Sequence, residues 1–228
     1  KMMKKLEQVQ LVQFFLFEAE AFQLNGHCAF IGPNGAGKTS VIDAVQLALM
    51  GTNENAIQLN SQKDEGGRDR TIREYCLGKL DETYKRDYAT SYITLVFRDE
   101  HTNQVVSAGV CIGAAVEDPK HEVQGLYVVE GLTISLGDHL ESGPGGQSPF
   151  PFASFKSSIE ARCRTAAGKP RAMFFKEREK SAYVEQLVRS LSGKDWINAK
   201  DFMRAFRRSV LLRHQESVDV FVRNFLVE

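Results

Sequence analysis

Residues 32–39 of this sequence are GPNGAGKT, a fit to the pattern G-x-x-x-x-G-K-[ST] at every required position. Small residues allow successive backbone N–H groups to converge on phosphate oxygens, and a helix that follows directs its positive dipole end at the same oxygens. Lys38 would bridge the β- and γ-phosphates, and the Thr39 hydroxyl would bind Mg²⁺. The pattern therefore predicts an ATP and Mg²⁺ site made by Gly32, Pro33, Asn34, Gly35, Ala36, Gly37, Lys38, Thr39 and Ser40.

The segments on either side of this loop have the periodicity that such a site requires. Residues 27–31 (HCAFI) are typical of a short buried strand that ends at Gly32. Helical spacing follows the loop, and Gly51 is expected to end that helix; the apolar positions are Val41, Val45, Ala48 and Leu49. A strand, a glycine-rich turn and a helix in this order favour a phosphate site over a chance glycine turn.

The remaining segments predict an α/β protein. We expect strand-like structure over 6–24 with a turn at 25–26, an exposed loop over 52–70, strands Ser91–Arg98 and Val105–Ala115 paired about a turn near Asn103, a strand over 126–135, a loop or boundary over 142–151, and helices over Ser154–Cys163, Glu177–Leu191 and Ala199–Leu212. The predicted fold class is a P-loop NTPase with a mixed β-sheet around a central helix. Within a single unit, 1–228, residues 1–140 would form a β-rich nucleotide-binding core and residues 150–228 a helical part.

Composition restricts the setting of the protein. The 29 basic and 29 acidic residues of the 228 cancel, but residues 156–213 hold 15 Lys and Arg against 6 Asp and Glu. The four cysteines form no CxxC pair, the N-terminal stretch lacks the apolar block of a signal peptide, and no apolar run approaches the length of a membrane span, about 18 residues. We therefore expect a cytoplasmic protein without disulfides and without a structural zinc site.

The wording of the loop resembles one branch of the ABC-type ATPases. IGPNGAGKT followed by Ser40-Val41-Ile42-Asp43-Ala44 is similar to the heads of structural-maintenance-of-chromosomes (SMC), SbcC and RecF proteins. Further stretches (LEQVQLVQFFLFEAEAF, RDRTIREYCLG, SYITLVF and ESVDVFVRNFLVE) resemble the MukB/MksB-like group, and within it the JetC ATPases of Wadjet plasmid-defence systems. A guanine-reading NKxD motif is absent from the sequence, which disfavours a small GTPase.

The resemblance implies roles for residues outside the loop. Phe206–Val222 is similar to the stretch of such heads that carries a glutamine, so Gln215 would help to position Mg²⁺ and the attacking water, although Glu216 stands where a glycine is usual. An arginine in the loop after the first helix would reach nucleotide phosphate or DNA. Arg70 is the first choice over Arg68 and Arg73, because Gly66-Gly67 precedes it. The alternatives are a solvated glutamine and an exposed charge cluster.

Two parts of such an ATPase are not found in the sequence. Residues 97–100 (FRDE) come too early for a Walker B strand and are expected at a hairpin turn. Residues 145–147 (GGQ) lack the Leu-Ser lead of a signature motif and a following apolar helix. The resemblance therefore implies the N-terminal lobe of a head, which ends where a coiled-coil arm would begin. It needs a C-terminal lobe and a second head in a homodimer.

The resemblance implies an ATPase associated with the nucleoid, which translocates or extrudes double-stranded DNA together with kleisin and winged-helix (KITE-like) subunits. In plasmid defence a nuclease subunit would join them. Arg207 and Arg208 in the basic segment would contact DNA phosphates, unless this segment is only a solvated face. Chromosome-organising MukB/MksB-type condensins and SbcC-, RecF- or OLD-type repair ATPases are alternatives. A scaffold that binds nucleotide only as a structural clamp is another.

Overall fold

The computed structural model describes residues 4–24, 28–33, 35–53, 57, 59, 70–143, 146–192 and 198–211, the last five by backbone alone. Its main feature is a six-stranded sheet in the order β10-β7-β6-β5-β1-β2, and each pairing between neighbouring strands is antiparallel. These strands are β1 (Lys5–Phe14), β2 (Phe17–Gln23), β5 (Tyr88–Arg98), β6 (Val105–Ala115), β7 (Glu122–Glu130) and β10 (Arg171–Phe175).

Helices and two small hairpins complete the described structure. The helices are α1 (Lys38–Leu49), α2 (Ile72–Leu77), α3 (Phe152–Thr165), α4 (Lys180–Ser192) and α5 (Ala199–Leu211), with 3₁₀ turns at Leu136–His139 and Glu177–Glu179. The hairpins pair β3 (Lys79–Leu80) with β4 (Thr83–Tyr84), and β8 (Leu140–Gly143) with β9 (Gly146–Pro149). No helix in these ranges has the length and apolarity to cross a lipid bilayer.

The two faces of the sheet carry separate apolar clusters, because successive side chains of a strand point to opposite sides. In β1, Val9 and Leu11 belong to the larger cluster, which also contains the buried sides of α1, α2 and α4. Val12 belongs to the smaller cluster, which is covered by α3. The sheet thus lies between two helical layers, and the larger cluster holds α1 in place.

The smaller cluster encloses a polar group. His139 is fully buried, its ring is stacked 4.7 Å from the ring of Tyr92, and its Nε2 lies 2.8 Å from the Thr94 hydroxyl oxygen. Burial lowers the pKa of His139 to about 3, against a smaller opposing effect of Asp138. The imidazole is therefore neutral at physiological pH and belongs to the packing of this layer.

Several predicted elements agree with the structure in kind and differ in extent. Segment 6–24 forms the β1–β2 hairpin, and β5 and β6 pair about a turn at Asn103, whose φ is 57°. The strand expected over 126–135 lies instead at Glu122–Glu130. The segment 142–151, expected as a loop, contributes to the β8–β9 hairpin. The predicted mixed sheet is antiparallel wherever the structure describes it, because its central strands follow one another through short connections.

Strand β10 lies within the part of the chain that was expected to be helical. Its five residues pair with β7, Met173 opposite Val128 among them, and extend the sheet by one edge strand. The three helices expected in that part are present as α3, α4 and α5. The division into units at 1–140 and 150–228 stays a prediction.

Candidate nucleotide-binding site

The glycines of the loop adopt the backbone conformation that a phosphate loop requires. Gly35 and Gly37 have φ angles of 81° and 84°, which lie in the left-handed region that side-chain-bearing residues seldom adopt. Helix α1 begins at Lys38, directly after Gly37. Because a glycine has no side chain that could cap the helix, the first-turn N–H groups of α1 face the loop without a capping side chain. This is the arrangement in which a helix N-terminus binds an anion.

The ammonium group of Lys38 lies over the loop. Its Nζ donates hydrogen bonds to the carbonyl oxygens of Gly32 at 2.7 Å and Pro33 at 2.6 Å. Both bonds are at the exposed surface, where a phosphate oxygen could take the place of a carbonyl oxygen. Lys38, which is predicted to bridge the phosphates, is therefore held next to the loop at its exposed side.

One face of α1 carries the groups that could support a metal ion. Thr39 and Asp43 are four residues apart, so their side chains lie on the same side of the helix, about 6 Å from each other. Asp43 is fully buried, and the Gln46 amide donates to it at 3.2 Å. The described residues contain no group of three His, Cys, Asp or Glu side chains that could hold a metal. Mg²⁺ with one protein hydroxyl ligand and phosphate oxygens fits this donor set.

An aromatic cluster packs against the loop from the β1–β2 hairpin. The ring of Phe17 is the nearest neighbour of Gly37, since a Cβ built on Gly37 would lie 2.7 Å from it. Phe17 makes an edge-to-face contact with Phe22 at 5.3 Å between centroids, and Phe22 makes one with Phe30 at 6.1 Å. The periodicity of 6–24 predicted strands, but nothing in it indicated that this hairpin touches the loop.

Arg86 holds the β1–β2 turn that carries Phe17. Its guanidinium donates to the carbonyl oxygens of Phe15, Phe17 and Cys76 and pairs with Glu18 at 2.7 Å. The Arg86 side chain is 7% exposed whereas that of Glu18 is 56% exposed, so the bonds to the three carbonyl oxygens are shielded from water more than the ion pair is. Glu18 has a lowered pKa; burial is the largest influence and opposes the shift, but the bonds to Arg86 and Lys85 outweigh it.

The segment before the loop differs from the prediction. Residues 28–31 lie outside the strands of the described sheets, and Ile31 is 93% exposed; the buried strand predicted there is wrong for these four residues. A short apolar segment becomes a strand when neighbouring strands supply the hydrogen-bond ladder. In the described sheet, β1 pairs with β2 and β5, and no described strand pairs with residues 28–31.

Arg70 lies beside α2, on the side of Tyr75. Its Cζ is 4.6 Å from the centre of the Phe15 ring and 5.4 Å from that of Tyr75. The expectation of an exposed charge cluster does not fit this residue, which is partly buried between two aromatic rings. Whether it binds nucleotide stays a prediction.

The side chains of four other predicted site residues lie outside the described part of the structure. Asn34 and Gln215 are not among the described residues, and Arg207 and Arg208 are described only as backbone of α5. Residues 97–100, which the sequence analysis rejected as a Walker B strand, lead into a turn. Asp99 Oδ1 accepts hydrogen bonds there from the backbone N–H groups of His101 and Thr102, each at 2.9 Å.

Comparison with known proteins supports the nucleotide-binding interpretation. Residues 6–65 match the family described as the P-loop containing region of AAA domain. No curated protein matches the chain. The matched segment runs from β1 through the loop and α1, and therefore includes the hairpin that carries Phe17 as well as the phosphate loop. The chain contains a nucleotide-binding domain of the P-loop NTPase type.

Proposed function

We propose that this chain is the ATP-binding half of an SMC-like ATPase head. ATP and Mg²⁺ would bind at Gly32–Ser40, with Lys38 on the β- and γ-phosphates and Thr39 on the metal. The residues Gln215 and Arg70 would complete the site, and Arg207 and Arg208 would contact DNA. The cellular role favoured by the sequence resemblance is JetC-like anti-plasmid defence, with a kleisin, KITE-like subunits and a nuclease as partners.

The observation that carries this proposal is the pair of left-handed glycines before α1, beside a segment that has no partner among the described strands. Gly35 and Gly37 have left-handed φ angles, whereas the preceding residues 28–31 pair with none of the strands that the structure describes, and Ile31 is exposed. A P-loop is ordinarily entered from a strand of a sheet. A neighbouring strand from a C-terminal lobe would supply the missing ladder and cover Ile31.

The chain's own groups account for binding but not for turnover. The helix N-terminus and Lys38 would stabilise the negative charge of the triphosphate, and the Phe17 cluster offers an apolar surface for a nucleobase next to the loop. When bound, Mg²⁺ would neutralise charge that develops between the β- and γ-phosphates. The base and the signature motif would come from other polypeptide, so the isolated chain should bind ATP weakly and hydrolyse little.

Reconstitution tests this proposal. The chain would be co-expressed with a polypeptide that supplies the proposed C-terminal lobe, and ATP hydrolysis would be measured with and without double-stranded DNA. We expect hydrolysis only with both lobes, and we expect Lys38→Ala to abolish it. A reconstituted head that binds ATP without turning it over would favour the scaffold alternative, in which Lys38→Ala would lower thermal stability in the presence of ATP and nothing else.

A further inference from the structure

The backbone of β10 is paired on one side only in the described part of the chain. Strand β10 lies at one end of the six-stranded sheet, and its neighbour is β7. Outside that ladder, the backbone of Arg171–Phe175 makes no hydrogen bond to the backbone of another described residue. Because alternate residues of an antiparallel strand direct their N–H and C=O groups to opposite sides, β10 presents a row of donors and acceptors at its outer edge.

The side chains of β10 leave apolar surface uncovered on both faces of the sheet. Ala172 and Phe174 pack against the smaller cluster, whereas Met173 and Phe175 pack against the larger one. All four are only half-buried. The central strand β6, which has a neighbour on each side, is almost completely buried. A further strand beside β10 would therefore cover apolar surface on both faces and would itself need apolar residues at its centre.

Three cationic side chains surround this half-covered strand. Arg171 is the first residue of β10 and Lys176 directly follows the last one, and both are exposed. No ion pair between described residues includes either of them. On the α3 side, Lys156 Nζ lies 5.4 Å from the centre of the Phe174 ring and 3.9 Å from the Glu160 carboxylate. The strand thus has a positive charge at each end and a third beside it.

The carboxylates next to the ends of β10 have other partners. Glu130 is opposite Arg171 in the ladder, and its Oε1 accepts a hydrogen bond from the Ser190 hydroxyl at 2.6 Å. Glu177 forms an ion pair with Lys180 at 3.2 Å. The cations at the ends of β10 are therefore available to carboxylates from another molecule, which gives the edge a charge preference as well as a row of backbone groups.

We propose that the outer edge of β10 is a docking site for an extended acidic segment of a partner protein, which adds a strand to the sheet. Its main chain pairs with the free backbone groups, its central apolar side chains cover Ala172–Phe175, and its acidic ends lie near Arg171 and Lys176. A nucleic acid fits this edge less well, because phosphate oxygens only accept hydrogen bonds and leave the carbonyl groups of β10 without donors. This inference is independent of nucleotide binding.

Binding of synthetic peptides to the whole chain tests the inference. The probe is a fluorescent peptide of sequence DEVIVTED, with β-branched residues at its centre and acidic residues at its ends. The controls are KKVIVTKK, and DEVIVTED with N-methyl groups on its central amides. Fluorescence anisotropy should show saturable binding of the probe. Both controls should bind about tenfold more weakly or less, because one loses the charge complementarity and the other loses its backbone donors.

Charge reversal in the protein tests the two cations at the ends of β10. Arg171→Glu and Lys176→Glu should each weaken binding of the probe about fivefold. Lys120→Glu is the matched control, since Lys120 is exposed on the loop between β6 and β7 and its reversal changes the net charge equally. Its affinity for the probe should differ from that of the parent by less than about twofold. Equal weakening in all three variants would overturn the inference, because it would show an attraction without a site.

Hydrogen exchange locates the bound peptide. The probe should slow the exchange of amides within Arg171–Phe175 and leave those of β2 unchanged. Strand β2 is the other outer strand of the described sheet and exposes Glu18 and Glu20, so it repels an acidic peptide. Binding that leaves the β10 amides unprotected would overturn the inference.

Two other occupants of the edge are distinguished by the same measurement. If the parent chain dimerises in sedimentation and its β10 amides become protected as its concentration rises, a second copy covers the edge and the inference is wrong. It is also wrong if a DNA duplex protects these amides and the probe does not. Since nucleotide takes no part in these experiments, none of the outcomes bears on the proposed function.

Discussion

The contact between Phe17 and Gly37 makes a quantitative prediction for one substitution, Gly37→Ala. An added Cβ would lie 2.7 Å from one ring carbon of Phe17 and 3.1 Å from another. Carbon atoms prefer a separation of about 3.5–4.0 Å, so the ring or the loop must move. The φ of Gly37 is also 84°, in the left-handed region that costs a side-chain-bearing residue about 1–2 kcal/mol.

Gly35→Ala separates these two effects. Gly35 has nearly the same φ, 81°, but a Cβ there would meet nothing within 4 Å. We therefore expect Gly35→Ala to lower the free energy of unfolding by about 1–2 kcal/mol, from backbone strain alone. Gly37→Ala should lower it by about 2–5 kcal/mol, because overpacking adds about 1–3 kcal/mol.

Urea unfolding followed by circular dichroism measures both free energies. The free energy of unfolding should fall with urea concentration at the same slope in the two variants. The difference between their free energies of unfolding then reflects the folded state. Replacing Phe17 by Leu in the Gly37→Ala background should recover part of the overpacking loss and none of the strain. Equal destabilisation by Gly35→Ala and Gly37→Ala would refute the packing of the β1–β2 hairpin against the loop.

Three further substitutions test the layers around the site. His139 is neutral in the folded protein because its pKa is about 3. Once the pH falls below the ordinary histidine pKa of about 6.5, the unfolded chain binds a proton that the folded protein does not bind. The free energy of unfolding should therefore fall by about 2 kcal/mol between pH 6.5 and 5, and His139→Gln should remove this decrease when unfolding is measured as a function of pH. Arg86→Lys leaves carbonyl oxygens of Phe15 and Phe17 without their donor and should cost about 2–4 kcal/mol in urea unfolding. Thr71→Ala removes the capping box of α2 and should cost about 1 kcal/mol in thermal unfolding.

Controls and contrary results are available for each of these. Carboxylates with a lowered pKa, such as Asp138, lose their stabilising effect only below about pH 4.5. If the free energy of unfolding of His139→Gln still falls between pH 6.5 and 5, the assignment of this decrease to His139 is contradicted. Lys85→Ala, at an exposed neighbour of Arg86, should cost less than about 1 kcal/mol. An Arg86→Lys variant as stable as Lys85→Ala, or a Thr71→Ala variant as stable as the parent, would contradict the geometry described.

Local sequence signals predicted the elements whose stability is local. The phosphate loop, the start of α1 after it and the stop at Gly51 follow from glycine placement and helical spacing, and Gly51 has a φ of 61°. The hairpin about Asn103 follows from two apolar runs separated by a polar turn. These features depend on residues within a few positions of one another, which a single sequence shows directly.

The features that were missed or wrong depend on distant partners. Segment 27–31 has the composition of a strand, but 28–31 form none because a strand also needs a neighbour, which composition does not reveal. Tyr75 and Asp43, which share a hydrogen bond, are 32 positions apart, and no motif joins them. The contact of Phe17 with Gly37 likewise arises from the docking of a hairpin, which the periodicity of that hairpin does not specify.

Equilibrium binding of Mg²⁺–ATP to the chain, compared between the parent and Lys38→Ala, tests the central claim most directly. Lys38 is partly exposed and its bonds are made to the loop itself, so the substitution should leave the fold and its melting temperature without nucleotide nearly unchanged. We expect saturable binding by the parent and at least a tenfold weaker binding by Lys38→Ala, on the order of the loss of a charge-assisted bond. Equal affinities of the two proteins, or no saturable binding by the parent, would contradict it.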